Sequence, residues 1–372
     1  MIRARDAVRY LLPALVVTGL AFVPRISSHV PKLFPGPINS PGTLQLLALC
    51  LVFAGVALTY DLLFGFTGLL SFGHALYFAV GVYMTDIAIT RWHWSFTVAL
   101  LFTAGIALVM PLLVGAISLR VGGIAFAMVT LAFAQVGATL ALRNPHNLTG
   151  GEEGLGTDYT RLPSFFVGVL NTKYLYWLAL GYVVVVFALV RWAVNSSPGR
   201  VWQAIRENEL RVQVLGLHPH PYKLMSFVLS SFLCAAGGVV YLLLQTGANA
   251  EVTTANMTLT FLIMVVLGGA GTKWGAVLGG ALYWYLKDRL GAIGDSSTVH
   301  DLPGVLRTPL SEPLFLLGAL FVLVVFFLPG GIAAVGARLR GRRAAGLAVL
   351  EEAVSGPQAV GPAPIGAPEQ QT

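Results

Sequence analysis

Long apolar blocks separated by short loops constrain this 372-residue chain more than any other feature. A helix needs about 20 apolar residues to cross roughly 30 Å of hydrocarbon. Ten such blocks, bounded by charge or by Pro and Gly, lie at approximately 10–24, 44–63, 74–90, 95–118, 124–142, 174–192, 224–245, 257–271, 274–290 and 313–336. The first is short, between Arg9 and Arg25, and the eighth and ninth abut. Only 10% of the residues are charged, against roughly 25% in an average soluble domain, which excludes an ordinary soluble enzyme. The expected fold is all-α: a polytopic integral membrane domain over residues 1–343 with about ten transmembrane helices.

The net charge of +7 does not point to nucleic acid, because Lys and Arg sit singly between apolar blocks and form no basic face. They read as topology signals. With both termini cytoplasmic, 14 of the 23 Lys and Arg fall inside, among them Arg3, Arg5, Arg9, Arg120 and the Arg338–Arg343 cluster. That bias is the one expected of cytoplasmic loops. A cleaved signal peptide is the alternative for the first block, but no small-x-small cleavage site follows it. Residues 344–372, rich in Ala, Gly and Pro without apolar periodicity, read as a disordered cytoplasmic tail.

Reactive constellations are missing from the sequence. GGAGTKW at Gly268–Trp274 superficially resembles a phosphate loop, but its Lys is followed by Trp and it lies between apolar blocks; there is no HExxH, CxxC or G-x-S-x-G, GLLSFG at Gly68–Gly73 having the wrong spacing. Neither ATP binding, metal binding nor any other cofactor is therefore expected of this chain alone. Cys50 and Cys234 lie inside apolar runs and supply no disulfide framework. Ionisable residues, the usual mark of ion-coupled pumps, are nearly absent from span centres. Asp61 and Asp86 fall near predicted span ends, where solvation is expected. The energy for transport would then come from a partner.

The loop between the sixth and seventh blocks is longer than two neighbouring spans need and reads as an amphipathic helix over 198–216. Ser197 can cap it, Pro198 suits its first turn and Gly216 can stop it. Val201, Ile205, Val212 and Leu215 fall near one stripe, with the charged residues mostly elsewhere. It is either a surface connector or a docking element with apolar anchors and a charged rim. The stretch resembles the coupling-loop motif of the branched-chain amino acid ABC transporter permeases of the LivM type, which read close to GRxxxAIRENExRAxxLG. Gly199-Arg200, Ala204–Glu209, Arg211 and Leu215-Gly216 match it, and Val212 stands where Ala is usual. The resemblance implies that Arg206, Glu207, Asn208, Glu209, Arg211 and Gly216 sit where an ATP-binding subunit grips the permease. His218 and His220, just beyond, read as a solvated turn, with a pH sensor as the alternative.

Gly65, Gly68 and Gly73 break the apolar stretch from 44 to 90, and Thr67, Ser71 and His74 beside them can bond opened main chain or a polar solute. Such a break is tolerated at membrane depth where it is buried in protein or lines a cavity; plain small-residue helix packing is the alternative. The segment from Gly65 to Tyr83 resembles the same family's GxxGxxSxGHAxFxxxGAY signature, which makes Gly65, Gly68, Ser71, Gly73 and His74 candidate pathway residues. Gly268, Gly269 and Gly271 form a second break, a candidate hinge that weakly echoes the first. Thr149, Gly150, Gly151 and Gly154 match the family's TGGxxGL outer loop. Gln135, an amide in the preceding span, is read either as a pathway residue or as an interhelical hydrogen-bonding group.

The resemblance thus implies a permease subunit of an ABC importer in the bacterial inner membrane. Its implied partners are a homologous second permease, two ATP-binding subunits that hold ATP and Mg, and an extracytoplasmic solute-binding protein. A branched-chain or related hydrophobic amino acid is the expected solute. Urea or a short amide, or an ion-coupled secondary transporter, are the alternatives, and a membrane-embedded enzyme is a more distant one. Replacing Glu207 and Glu209 by Lys is expected to leave insertion intact and uncouple uptake from ATP hydrolysis. Uptake and ATPase stimulation assayed together check this, and unchanged values for both would refute docking at these residues.

Overall fold

In hydrocarbon, main-chain N–H and C=O groups must be paired within the chain, so apolar runs of this length fold as helices. The computed structural model describes residues 15–25, 36–168, 171–294, 312–327 and 330–334. Helix α1 spans Leu15–Arg25. Helix α2, Pro41–Asp61, is capped by Ser40 and runs on into a π-helical turn, Leu62–Phe66. Then follow α3 His74–Thr90, α4 Phe96–Ser118, α5 Gly123–Arg143 and α6 Thr172–Asn195. Two short helices, α7 Ser197–Glu207 and α8 Glu209–Val214, lead to the long α9, Pro219–Gln245. The described chain closes with α10 Ala255–Gly268, α11 Lys273–Gly294 and α12 Pro313–Phe327.

Among the described residues, each apolar block coincides with one of these helices, and the fold is all-α apart from a two-residue antiparallel pair, Leu155 opposite Ala248 and Gly156 opposite Gly247. Five helices among the described residues are long and apolar enough to cross a membrane: α2 with its π turn, α4, α5, α6 and α9. The block at 257–271 is shorter than expected, because α10 stops at Gly268 after 14 residues. At 1.5 Å per residue that is about 21 Å, less than the hydrocarbon thickness. Residues 10–14, 328–329 and 335–336 of the expected first and last spans lie outside the described residues, as do Arg338–Arg343 and the tail 344–372.

Burial separates the inner helices from the outer ones. Within its apolar window α2 is 89% buried, against 28% for α4 and 33% for α5. Helix α2 packs on α6, α9, α10 and α11, and α9 also packs on α3 and α4. At the centre, Phe53 of α2 stacks on Trp284 of α11 at 3.8 Å between ring centroids and meets Tyr241 of α9 edge-on at 5.8 Å. Phe78 and Phe261 close the cluster, so one ring ties five helices together. Leu101, Leu108, Leu113 and Ile117 of α4 point outward, the pattern of a lipid-facing helix. Helix α1 is held on α6 by Tyr176 Oη and Trp177 Nε1, which donate to the carbonyls of Leu20 and Ala21.

With no hydrophobic drive between helices in lipid, close packing of small residues carries much of the association. Helices α3 and α9 approach through Gly81, set against the Ala235 carbonyl, and Gly238, set against the Phe78 carbonyl. Gly105 of α4, by contrast, faces open space. Gly238→Val is expected to lower the thermal midpoint of the detergent-solubilised protein by several degrees, overpacking typically costing about 1–3 kcal/mol. Gly105→Ala leaves it unchanged, and a melting curve of both variants checks the pair.

Candidate functional site

Four features stand out, beginning with a re-entrant segment. After the π turn, Thr67 Oγ1 donates to the Leu62 carbonyl and the chain unwinds over 68–73. Gly68 is exposed and Leu69, Leu70 and Phe72 are half-buried, while Ser71 and Gly73 are buried. Phe72 N–H donates to Thr130 Oγ1 at 3.1 Å, Ala75 N–H to Thr258 Oγ1 at 3.0 Å, and Tyr60 Oη to the Ser71 carbonyl at 3.1 Å. Ser71 Oγ accepts from Gly73 N–H. Thr258 lies ten residues from the α10 terminus at Gly268, so α3 begins about 15 Å in from that end. The sequence-expected Ser71 and His74 are fully buried. The His74 ring is 3.2 Å from Thr59 Oγ1 and packs edge-on against Tyr60.

The second feature is the meeting of the two glycine breaks. Asp61, fully buried, accepts from Gly271 N–H at 2.7 Å. Arg206, at the end of α7, donates from Nη1 to the Gly65 carbonyl. A Cβ at Gly271 would lie 2.6 Å from Arg206 Nη1, and one at Gly68 would lie 3.2 Å from Arg206 Cα. A Cβ at Gly65 would collide with both Asp61 Oδ1 and Gly271 N. Three glycines thus leave the space that one guanidinium and one carboxylate fill. The expectation that Asp61 and Asp86 are solvated at span ends is corrected: both are fully buried. The second break is itself a tight turn, with Gly269 at φ 113° and Thr272 Oγ1 donating to the Gly269 carbonyl at 2.6 Å. Gly268 packs directly on the Gly275 carbonyl.

The third feature is the loop read as one helix over 198–216, which is two helices. Asn208 leaves the helical region at φ −162° and caps α8 by accepting from Arg211 N–H at 3.0 Å, the competition with the main chain that Asn offers at such positions. Ser196, not Ser197, is the cap of α7, and Gly216, at φ 83°, stops α8 as expected. Trp202, fully buried, anchors α7 by donating to the Tyr222 carbonyl at 2.8 Å. Ile205 and Val212 are buried as the stripe implies, but Leu215 is not. Leu210, Val214 and Leu215 are 71, 86 and 74% exposed and form an apolar patch beside the exposed Glu207 and Arg211. Glu209 turns inward to Lys223 of α9, Oε1 to Nζ 2.5 Å. A Lys at 209 would therefore break an ion pair within the chain as well as change the surface.

At the opposite end, the 149–158 loop folds as a clasp. Asn144 Oδ1 accepts from the N–H groups of Thr149 and Gly150, and Thr149 Oγ1 donates to the Ala141 carbonyl at 2.7 Å. Gly150, Gly151 and Gly154 have φ of 80°, 65° and 79°, a region only glycine enters freely. The two-residue strand pair fastens the clasp to the α9–α10 connection. Asp158 N–H donates to Thr90 Oγ1, which itself donates to the buried Asp86. The Asp158 carboxylate accepts from the Thr160 hydroxyl and N–H, which lower its pKa below the usual carboxylate range. Gln135 stands apart from all of this, on the exposed face of α5 with Val136 and Leu140. The structural roles of Asp61, Asp86, Trp202 and Thr258 were not expected from sequence. The visible signals were two charges in apolar blocks and an indole in an otherwise polar loop.

The profile of the family described as branched-chain amino acid transport system / permease component matches residues 42–325. The chain is 25% identical over 315 residues to the high-affinity branched-chain amino acid transport system permease protein LivM of Escherichia coli, covering 79% of this chain and 70% of that protein. Identity and coverage are the same for the LivM protein of Salmonella typhimurium. It is 27% identical over 187 residues to the probable branched-chain amino acid transport permease protein LivM of Methanocaldococcus jannaschii, covering 50% of this chain and 53% of that one. No solved structure matches.

Side chains at two clasp glycines separate its tight turn from its open rim. Gly154 combines positive φ with contact against the Ala248 carbonyl, whereas Gly156 meets nothing within 4 Å. Gly154→Val is expected to open the clasp, seen as faster limited proteolysis within 149–158, while Gly156→Ala leaves the digestion pattern unchanged.

Proposed function

Because the chain belongs to the branched-chain amino acid transport system permease family, we propose that it moves branched-chain or related hydrophobic amino acids across the bacterial inner membrane as the permease subunit of an ABC importer. It is a transport subunit and not an enzyme, and the ATPase site belongs to its partners. The observation that carries this reading is the α7–α8 element. Trp202 and the Glu209–Lys223 pair hold it firmly to the helix bundle, while Leu210, Val214 and Leu215 face away from it. An apolar side chain of this size gains about 1.5–3 kcal/mol on full burial. Three of them, rimmed by Glu207, Asn208 and Arg211 and closed by Gly216, suit the surface of an ATP-binding subunit. Charged rims of this kind set orientation more than affinity.

The face bearing α7 and α8 is then cytoplasmic, and both termini lie on that side. A homologous second permease completes the pore against the open face of α5, where Gln135 is displayed. Two ATP-binding subunits dock below. A solute-binding protein delivers its cargo at the clasp, whose Glu152 and Glu153 are exposed. The re-entrant segment with Gly65, Gly68, Ser71, Gly73 and His74 forms the moving wall of the pathway, and Gly268, Gly269 and Gly271 are its hinge.

Expressing the tagged chain with its genomic neighbours tests the assembly. Two ATP-binding subunits and a second permease are expected to remain bound in detergent, with ATP-dependent uptake after reconstitution. A chain that purifies alone and drives uptake without ATP would overturn the reading. Calorimetry on the cognate binding protein tests the solute: heat with leucine or valine is expected, and heat with urea alone would refute the amino acid assignment.

A further inference from the structure

Arg206 belongs to the docking element by sequence and is exposed, yet its guanidinium reaches the membrane helices. It lies in the last turn of α7, two residues before the Asn208 break. Its guanidinium nonetheless holds the Gly65 carbonyl of the first glycine break and lies against Gly271 of the second. Asp61 completes the ring: it belongs to the last turn of α2, holds Gly271 N–H at 2.7 Å and lies within reach of the charge on Arg206. The two breaks are more than 200 residues apart in sequence, Asp61 and Gly271 being separated by 210 positions. All three glycines are filled at the junction by these two side chains or by each other's main chain.

Resting on the importer reading above, we propose that Arg206 is a positioning residue that couples the cytoplasmic element to both glycine breaks, with Asp61 as its counterpart in the membrane. Displacement of α7 moves the Gly65 carbonyl through Arg206 and releases or tightens the 269–272 turn beside it. The re-entrant segment follows the first break, so α3 and its start move with α7. Asp61 Oδ2 is buried and without a hydrogen-bond partner among the described residues. That oxygen gives the guanidinium a second seat once the Gly65 carbonyl is released. The junction then has two arrangements of one charge, which is what a switch requires.

The test uses the full complex in proteoliposomes, comparing wild type with Arg206→Gln, Arg206→Lys and Asp61→Asn. The Asn variant is expected to keep its ATP-binding subunits and most of its ATP hydrolysis, and in both the Gln and Asn variants solute moved per ATP falls by about tenfold, within the range of coupling mutations. Arg206→Lys, which keeps the charge, recovers part of the ratio. In the wild-type complex, hydrogen exchange at 62–73 and at 269–272 is expected to change together when ATP is trapped, a readout independent of how the variants fold. An unchanged transport ratio, loss of the ATP-binding subunits from the Asn variant, or exchange that changes only within 197–217 would each overturn the assignment of Arg206. A wild-type complex without ATP-driven uptake would instead overturn the importer reading itself.

Discussion

A helix that unwinds within hydrocarbon strips main-chain groups of partners that no solvent replaces, and the arrangement of this chain follows from how that cost is met. The segment 68–73 opens because other helices reach in to satisfy it. Thr130 of α5 takes Phe72 N–H, Thr258 of α10 takes Ala75 N–H, and Tyr60 of α2 bonds the Ser71 carbonyl. Those bonds fix where α5 and α10 must stand relative to α2 and α3. The break is therefore an organising centre, and the hydroxyls that serve it are as structural as the aromatic cluster around Phe53.

The same economy recurs at both ends of the molecule through two buried carboxylates. Asp61 gathers the glycine breaks on the face that carries α7, and Asp86, through Thr90, holds the clasp at the other face. A buried carboxylate costs energy unless it is bonded, so each fixes a loop that would otherwise be free to rearrange. An importer needs both faces to change in alternation, and a buried acidic side chain helps fasten each face here to the helical frame.

Much of this was legible in the sequence because its causes are local. Apolar block length placed the helices, and glycine spacing located the breaks and the clasp. Amphipathic periodicity and the capping residues found the α7–α8 element. What was not legible depends on partners distant in the chain. Arg206 is the surface charge it read as, but nothing local says that its guanidinium also reaches Gly65 and Gly271. Glu209 read as part of the rim because Lys223 lies a loop away, and Asp61 read as solvated because its partner N–H belongs to residue 271. The Asn208 break was hidden for a different reason: helical periodicity runs through it almost undisturbed, and only the competing side-chain bond interrupts it.

That break divides load from transmission. The exposed apolar patch rides on α8 and the contact with both glycine breaks sits at the end of α7, with one extended residue and the Glu209–Lys223 pair between them. In mechanical terms this is a compliant joint in series with a stiff strut. On the docking and coupling proposed above, small rocking of a docked partner would be absorbed by rotation at Asn208, and only a stroke that exhausts the slack would pull on the strut. The membrane half would then be insulated from thermal jitter below it and answer to displacement beyond a threshold.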